Sequence, residues 1–231
     1  MNRHPWRKRP DQLVIGGGAI RSEQGALLEE VTTGELDFFG TPTWCTRGLI
    51  EVAPPGQTVV LEPSAGDGAI VQELLDAGYE VRAIELRPRA LPGLRDLCPS
   101  EWGDWLRFSS PGRGYPELVK LCGPLEDVAI LGNPPFAVAQ DFVAQALLTS
   151  SPWVCFLLRV NVIASRPWSE MFSSPRTGPG VRQAGTLTAP TAIANLRKRP
   201  SFSGDGKTSM DNYAWFIWEA GKAPIDFRPI G

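Results

Sequence analysis

The 231-residue sequence contains a single histidine, His4. That scarcity excludes chemistry built on a Ser/His or Cys/His pair, and any metal site that needs several imidazoles. Cysteine is nearly as sparse: Cys45, Cys98, Cys122 and Cys155 are widely spaced, with no C-x-x-C pair. Neither a zinc site nor a disulfide framework follows from that spacing, and reduced, structural thiols are expected. No apolar run reaches membrane-spanning length, and the N-terminal MNRHPWRKRP has no apolar signal core. A cytoplasmic protein with no membrane contact is therefore expected. Nor does charge of one sign dominate, since the formal net charge is −2.

The charge that is present lies unevenly. Arg3, Arg7, Lys8 and Arg9 crowd the first ten residues without an acid, and residues 11–158 hold nine basic and twenty acidic side chains. From 159 to 208 the balance reverses, with Arg159, Arg166, Arg176, Arg182, Arg197, Lys198, Arg199 and Lys207 facing only Glu170 and Asp205. Basic ends flanking an acidic middle suit a polyanion that docks on part of the surface. A solvated basic face without a partner would have the same composition.

Three regions follow: a basic, flexible arm over 1–35, a single domain over 36–222, and a tail over 223–231. From about residue 57 strand and helix signals alternate. TVVLEP (58–63), YEVRAIEL (79–86), VAIL (128–131), WVCFLLRV (153–160) and NYAWFIWEA (212–220) read as strands, with a shorter one at DWLRF (104–108) and a further one at TAIANL (191–196). Helices are expected around Ile70–Leu75, ended by Gly78, and from Val138 to Leu147. Such alternation predicts an α/β protein with a mainly parallel sheet covered on both faces and ligands outside the carboxyl ends of the strands. The stretch 161–211, rich in Ser, Pro, Gly, Thr and Arg, is too long for a plain connection and is expected to contact nucleic acid.

Chemistry concentrates where strands stop. GNPPF (132–136) follows VAIL directly. Pro134 and Pro135 have fixed φ and no N–H, and Pro134 pushes Asn133 toward an extended conformation, so the turn is stiff. A stiff turn can hold the Asn133 side-chain oxygen and a neighbouring carbonyl in place to grip one NH2 group. It would equally serve as a rigid strand-to-helix connection. EPSAGDG (62–68) joins the first strand to its helix, where Ala65, Gly66 and Gly68 leave room near free N–H groups. Glycine turns also serve geometry alone. Glu85 ends the second strand, where an acid can accept ribose hydroxyls. Asp104 and Trp105 could bind an adenine amino group and cover its ring.

In that order, EPSAGDG, AIEL, GDWL and GNPPF resemble the cofactor and catalytic motifs of S-adenosylmethionine-dependent amino methyltransferases. FFGTPTW (38–44) resembles the segment that closes over the methionine end of the cofactor, and RPSFSGDGKTS with YAWFIW resembles the C-terminal part of small phage- and prophage-type DNA adenine-N6 methyltransferases. The likeness runs from about 37 to 221. It implies a Rossmann-like class I methyltransferase fold with a seven-stranded sheet. It also implies that Thr41 holds the cofactor carboxylate, that Glu62, Ala65, Gly66 and Gly68 line its methionine part, that Glu85 takes the ribose and Asp104 the adenine. Asn133 and the Pro134 carbonyl would hold the target amine, with Pro135 stiffening the turn and Phe136 stacked on the target ring. Phe202 is a candidate for the opposite ring face or, equally, a loop anchor. Arg166, Lys198, Arg199 and Lys207 would grip DNA phosphates, with no metal required and with monomer or homodimer left open. The chain is too short for a separate target-recognition domain. Guanine N2 in ribosomal RNA, release-factor glutamine and a non-catalytic binding module are the rival readings.

Overall fold

The computed structural model describes residues 40–108, 115–173, 189–202 and 208–226. The arm, Lys207 and the part of the 161–211 stretch that carries Arg176 and Arg182 lie outside these residues, as does most of the tail.

Seven strands form one sheet: β1 (Val59–Glu62), β2 (Glu80–Glu85), β3 (Ser100–Trp102), β4 (Val128–Gly132), β5 (Trp153–Arg159), β6 (Ala192–Asn195) and β7 (Tyr213–Glu219), in spatial order β3-β2-β1-β4-β5-β7-β6. The pairs from β3 to β5 are parallel, and β7 runs antiparallel to both β5 and β6. The sheet is thus mixed, parallel except for β7. Strand order reverses between β1 and β4, the kind of switch point where open α/β sheets leave a crevice for ligands.

Side chains alternate across the pleat, which splits the core into two layers. Val60, Val81, Ala129, Leu131, Cys155, Leu157, Trp215 and Ile217 face one way. Over them lie Leu49 of α1 (Thr43–Val52), Ile70, Val71 and Leu74 of α2 (Ala69–Asp76), and Leu94 of α3 (Leu91–Leu97). Leu61, Ile84, Ile130, Phe156 and Phe216 face the opposite way. They meet Trp105 of α4 (Trp105–Phe108), Leu118 of α5 (Tyr115–Cys122), Phe142 and Val143 of α6 (Ala139–Leu147), and Trp168 of α7 (Arg166–Ser173). Every residue of β4 is buried, as a strand covered on both faces requires.

DWLRF is not the third strand. That strand is Ser100–Trp102, and Asp104 instead opens α4, accepting the Leu106 N–H at 3.0 Å. Trp105 is 1% exposed and its indole N–H donates to the Phe142 carbonyl at 3.3 Å, so burying the ring under the sheet wins over extending the strand. The 161–211 stretch holds more than the strand expected at TAIANL. It contributes the 3₁₀ segment Val160–Ala164, α7 and the edge strand β6.

All four cysteines are free and buried. Burial pushes the Cys45 and Cys122 thiols up to about 12 and Cys98 to about 11, so they are poor nucleophiles at neutral pH. No helix among the described residues is long and apolar enough to cross a membrane.

Candidate active site

Because β1, β2, β3 and β4 are parallel, Glu62, Glu85, Trp102 and Gly132, their last residues, all lie at one edge of the sheet. The turns that leave β1 and β4 touch. The Ser64 hydroxyl donates to the Asn133 carbonyl at 3.3 Å, and a Cβ on Gly132 would come within 3.3 Å of the Pro63 ring. Gly132 is therefore glycine for close approach: the EPSAGDG and GNPPF turns share one contact surface. Asn133 donates through Nδ2 to the buried Thr41 hydroxyl at 3.1 Å. Thr41 sits just before α1, and α1 is held over the sheet by the Trp215 indole N–H on the Cys45 carbonyl at 3.0 Å.

Two buried acids stand side by side. Glu85 accepts the Gly66 N–H on Oε2 at 2.6 Å, and on Oε1 both the Arg87 backbone N–H at 2.8 Å and its Nε at 3.0 Å. Glu62 is 2% exposed, and its Oε2 has no hydrogen-bond partner among the described residues. Burial, and next the charge of Glu85, push the Glu62 carboxyl well above its ordinary range, only partly opposed by the Val71 backbone N–H. A buried acceptor without a donor next to a second acid is poised for an ammonium or another donor-bearing group.

Ala65 and Gly66 lie buried in the turn. Gly68 adopts φ +85°, and a Cβ there would point at Leu97 and Leu94 of α3. That glycine answers first to backbone conformation and the seating of α3, rather than to space for a ligand. Asp104 stands beyond the end of β3, half-buried, with Arg107 at 3.8 Å. Trp105 cannot cover a ligand from the core. The exposed ring nearby is Trp102, paired in register with Glu85 and anchored by its N–H on the Leu86 carbonyl at 2.9 Å.

On the other side of GNPPF, Phe136 meets Tyr213 at 5.5 Å and Phe202 at 6.1 Å between ring centroids. Phe202 is edge-on to Phe136, inclined by 69°, and packs on Tyr213 at 4.9 Å. In this arrangement it supports Phe136 rather than lying parallel to it. The Arg159 guanidinium sits 4.5 Å from the Phe136 ring centre and pairs with Asp211 at 3.2 Å. Since β6 runs parallel to β5, the chain after Asn195 emerges at the same edge, bringing exposed Lys198 and Arg199 there. Arg199 Nε reaches Asn212 Oδ1 at 3.2 Å. Arg166 opens α7 beyond the end of β5, exposed and paired with Glu170 at 2.7 Å, and the neighbouring Pro167 carbonyl accepts from Gln140 of α6. Sequence reasoning missed Ser64, Arg87, Trp102, Arg159, Asp211 and Tyr213. Only Arg87, two residues after Glu85, and Arg159, ending an apolar strand, carried a local hint.

No protein-family model and no curated protein matches the sequence. Similar solved structures include the 23S rRNA methyltransferase ErmE, with TM-score 0.52 and 16% identity over 82% of this chain and 72% of that one. A Pyrococcus horikoshii protein described as a candidate RNA methyltransferase has TM-score 0.52 and 16% identity, over 81% and 93%. A dimethyladenosine transferase from Plasmodium falciparum has TM-score 0.50 and 12% identity, over 79% and 62%. The chain therefore has the α/β fold of these methyltransferases.

Proposed function

We propose that the protein is an S-adenosylmethionine-dependent methyltransferase acting on the exocyclic N6 amine of adenine in DNA, with the target base flipped out of the duplex. The observation that carries this reading is the contact between two turns. The β4 turn holding Asn133 abuts, through Ser64, the β1 turn that leads to Gly66 and Glu85. A site for an exocyclic amine and a site for a nucleoside cofactor are thereby adjacent.

The residues fit the cofactor. Glu62, a buried acid with one oxygen that has no partner among the described residues, suits the amino group of its methionine part, and Glu85 suits the ribose. Asp104 and the Trp102 ring border the adenine end. When bound, S-adenosylmethionine supplies an activated methyl group. The protein supplies alignment. An adenine amine is a poor nucleophile because its lone pair is delocalised into the ring. Held by two acceptors, Asn133 Oδ1 and the Pro134 carbonyl, its nitrogen can pyramidalise without a base. Pro135 fixes the angle of the turn. Phe136 stacks on the base and stabilises its growing cationic character, while Phe202 and Tyr213 support Phe136. The nitrogen then loses its proton to water, which suits a chain whose one histidine lies far from these motifs in sequence. Flipping costs about a few kcal/mol. Lys198, Arg199 and Arg166 would offset that cost through phosphate contacts, and Lys207 is proposed to join them.

Support for DNA over RNA comes from the C-terminal resemblance, and the likeness to RNA methyltransferase folds keeps RNA adenine as the second reading. Incubation with tritiated S-adenosylmethionine and duplex DNA, ribosomal RNA or release factor separates the substrates. The expected product is N6-methyladenine in DNA, identified by nucleoside digestion and mass spectrometry. Label confined to RNA or protein would reject the DNA assignment, and N4-methylcytosine would change the base.

A further inference from the structure

We infer that Arg87 is a positioning residue for the cofactor ribose, acting through Glu85; this rests on the cofactor reading above. Arg87 is about nine-tenths buried, unusual for a guanidinium unless it is paired. Three of its hydrogen bonds go to two acids. Its backbone N–H and Nε both donate to Glu85 Oε1, at 2.8 and 3.0 Å, while Nη2 donates to Asp67 Oδ1 at 3.2 Å. Asp67 belongs to the EPSAGDG turn, whose Gly66 N–H binds the other oxygen of Glu85 at 2.6 Å. A closed loop of contacts results: the turn to Glu85, Glu85 to Arg87, and Arg87 back to the turn.

The consequence is geometric. A carboxylate offers about four acceptor sites, and three on Glu85 are filled by donors fixed in the fold. Its plane cannot rotate without breaking the Gly66 contact or those from Arg87. Acceptor capacity remains chiefly on Oε2, whose direction is set by the Gly66 N–H and, through Oε1, by the backbone N–H and Nε of Arg87. The guanidinium also offsets the charge of Glu85 beside Glu62, so a second buried acid can be tolerated without a metal. A lysine could match the charge but not the fork, since it cannot donate to Glu85 and Asp67 in one planar arrangement.

The test is a cycle between protein and ligand, read by calorimetry on the full chain. S-adenosylhomocysteine and its 2′,3′-dideoxy analogue are titrated into wild type, Arg87→Met and Arg87→Lys, with folding checked by circular dichroism. Arg87→Met is expected to weaken S-adenosylhomocysteine by about tenfold or more and the dideoxy analogue much less, because the lost term is the aim of a charged acceptor at hydroxyls. Arg87→Lys should give a smaller loss with the same ligand preference. Equal losses for both ligands, or no loss, would overturn the assignment and make Arg87 a packing residue. Should Arg87→Met fail to fold, Arg87→Lys decides by the same criterion. Failure of wild type to bind S-adenosylhomocysteine would instead sink the cofactor reading from which the inference starts.

Discussion

Glu85 and Arg159 each end a strand at the same edge of one sheet, yet their surroundings are opposites. Glu85 is buried, and three donors fix its carboxylate. Arg159 is 40% exposed, leaning on the Phe136 ring and on an Asp211 that is itself partly open to water. The β1–β2 side is a pre-built socket, whereas the β5–β7 side is a set of aromatic rings and solvent-facing charges whose pairs are individually weak. Small-molecule sites are usually preformed, and surfaces for polyanions rely on side chains that exchange partners. Under the proposed function, the contrast would separate a rigid cofactor half from an adaptable substrate half, with Asn133 on the seam.

Breaking the seam should have the largest effect. Asn133→Ala is expected to lower methyl transfer to DNA by about a hundred- to a thousandfold while S-adenosylhomocysteine still binds by calorimetry. Persistent activity would remove Asn133 from the mechanism and dissolve the division into halves. On the adaptable side, Lys198→Ala with Arg199→Ala should weaken DNA binding uniformly across sequences. Each lost phosphate contact should flatten the slope of log affinity against log salt by about 0.9. A slope equal to that of wild type would mean that DNA does not reach these side chains.

The sharpest test on the rigid side concerns Glu62. Its folded carboxyl titrates well above the ordinary value of 4.5. The protonated acid is thus compatible with the fold, and the stability associated with it is complete below about pH 4.5 and disappears as pH rises through the raised folded value. Glu62→Gln removes that dependence. In urea melts without ligand, wild type should lose stability relative to Glu62→Gln between pH 5 and pH 8. The slope while the group titrates is at most about 1.4 kcal/mol per pH unit. Parallel pH curves for the two proteins would show that Glu62 is not strained by its surroundings.

The division also explains what could be read in advance. TVVLEP, YEVRAIEL, VAIL and WVCFLLRV are β-rich runs buried in the middle of the sheet, so local pattern and tertiary environment agree. The positions of Glu62, Glu85 and Asn133 followed because each sits where such a run ends. DWLRF misled because a five-residue stretch with three apolar side chains fits a strand or a helix turn equally. The residues that became β3, Ser100–Trp102, have no apolar run and are a strand only because β2 offers them hydrogen bonds. The helix α1 was missed for a related reason. Only three of its ten residues are buried, and what places it is Trp215, 170 positions later, donating to Cys45.

By itself the sequence determined which segments must be buried strands and which stiff or glycine-containing turns follow them, because periodicity and the backbone limits of proline and glycine act over a few residues. Only the tertiary structure decided that β7 runs antiparallel, that the turns after β1 and β4 meet at Ser64 and Asn133, and that Arg87 closes a circuit from Glu85 to Asp67. Those outcomes depend on hydrogen bonds and contacts between groups distant along the chain or turned to a particular face, and no local pattern encodes which donor finds which acceptor once the layers pack.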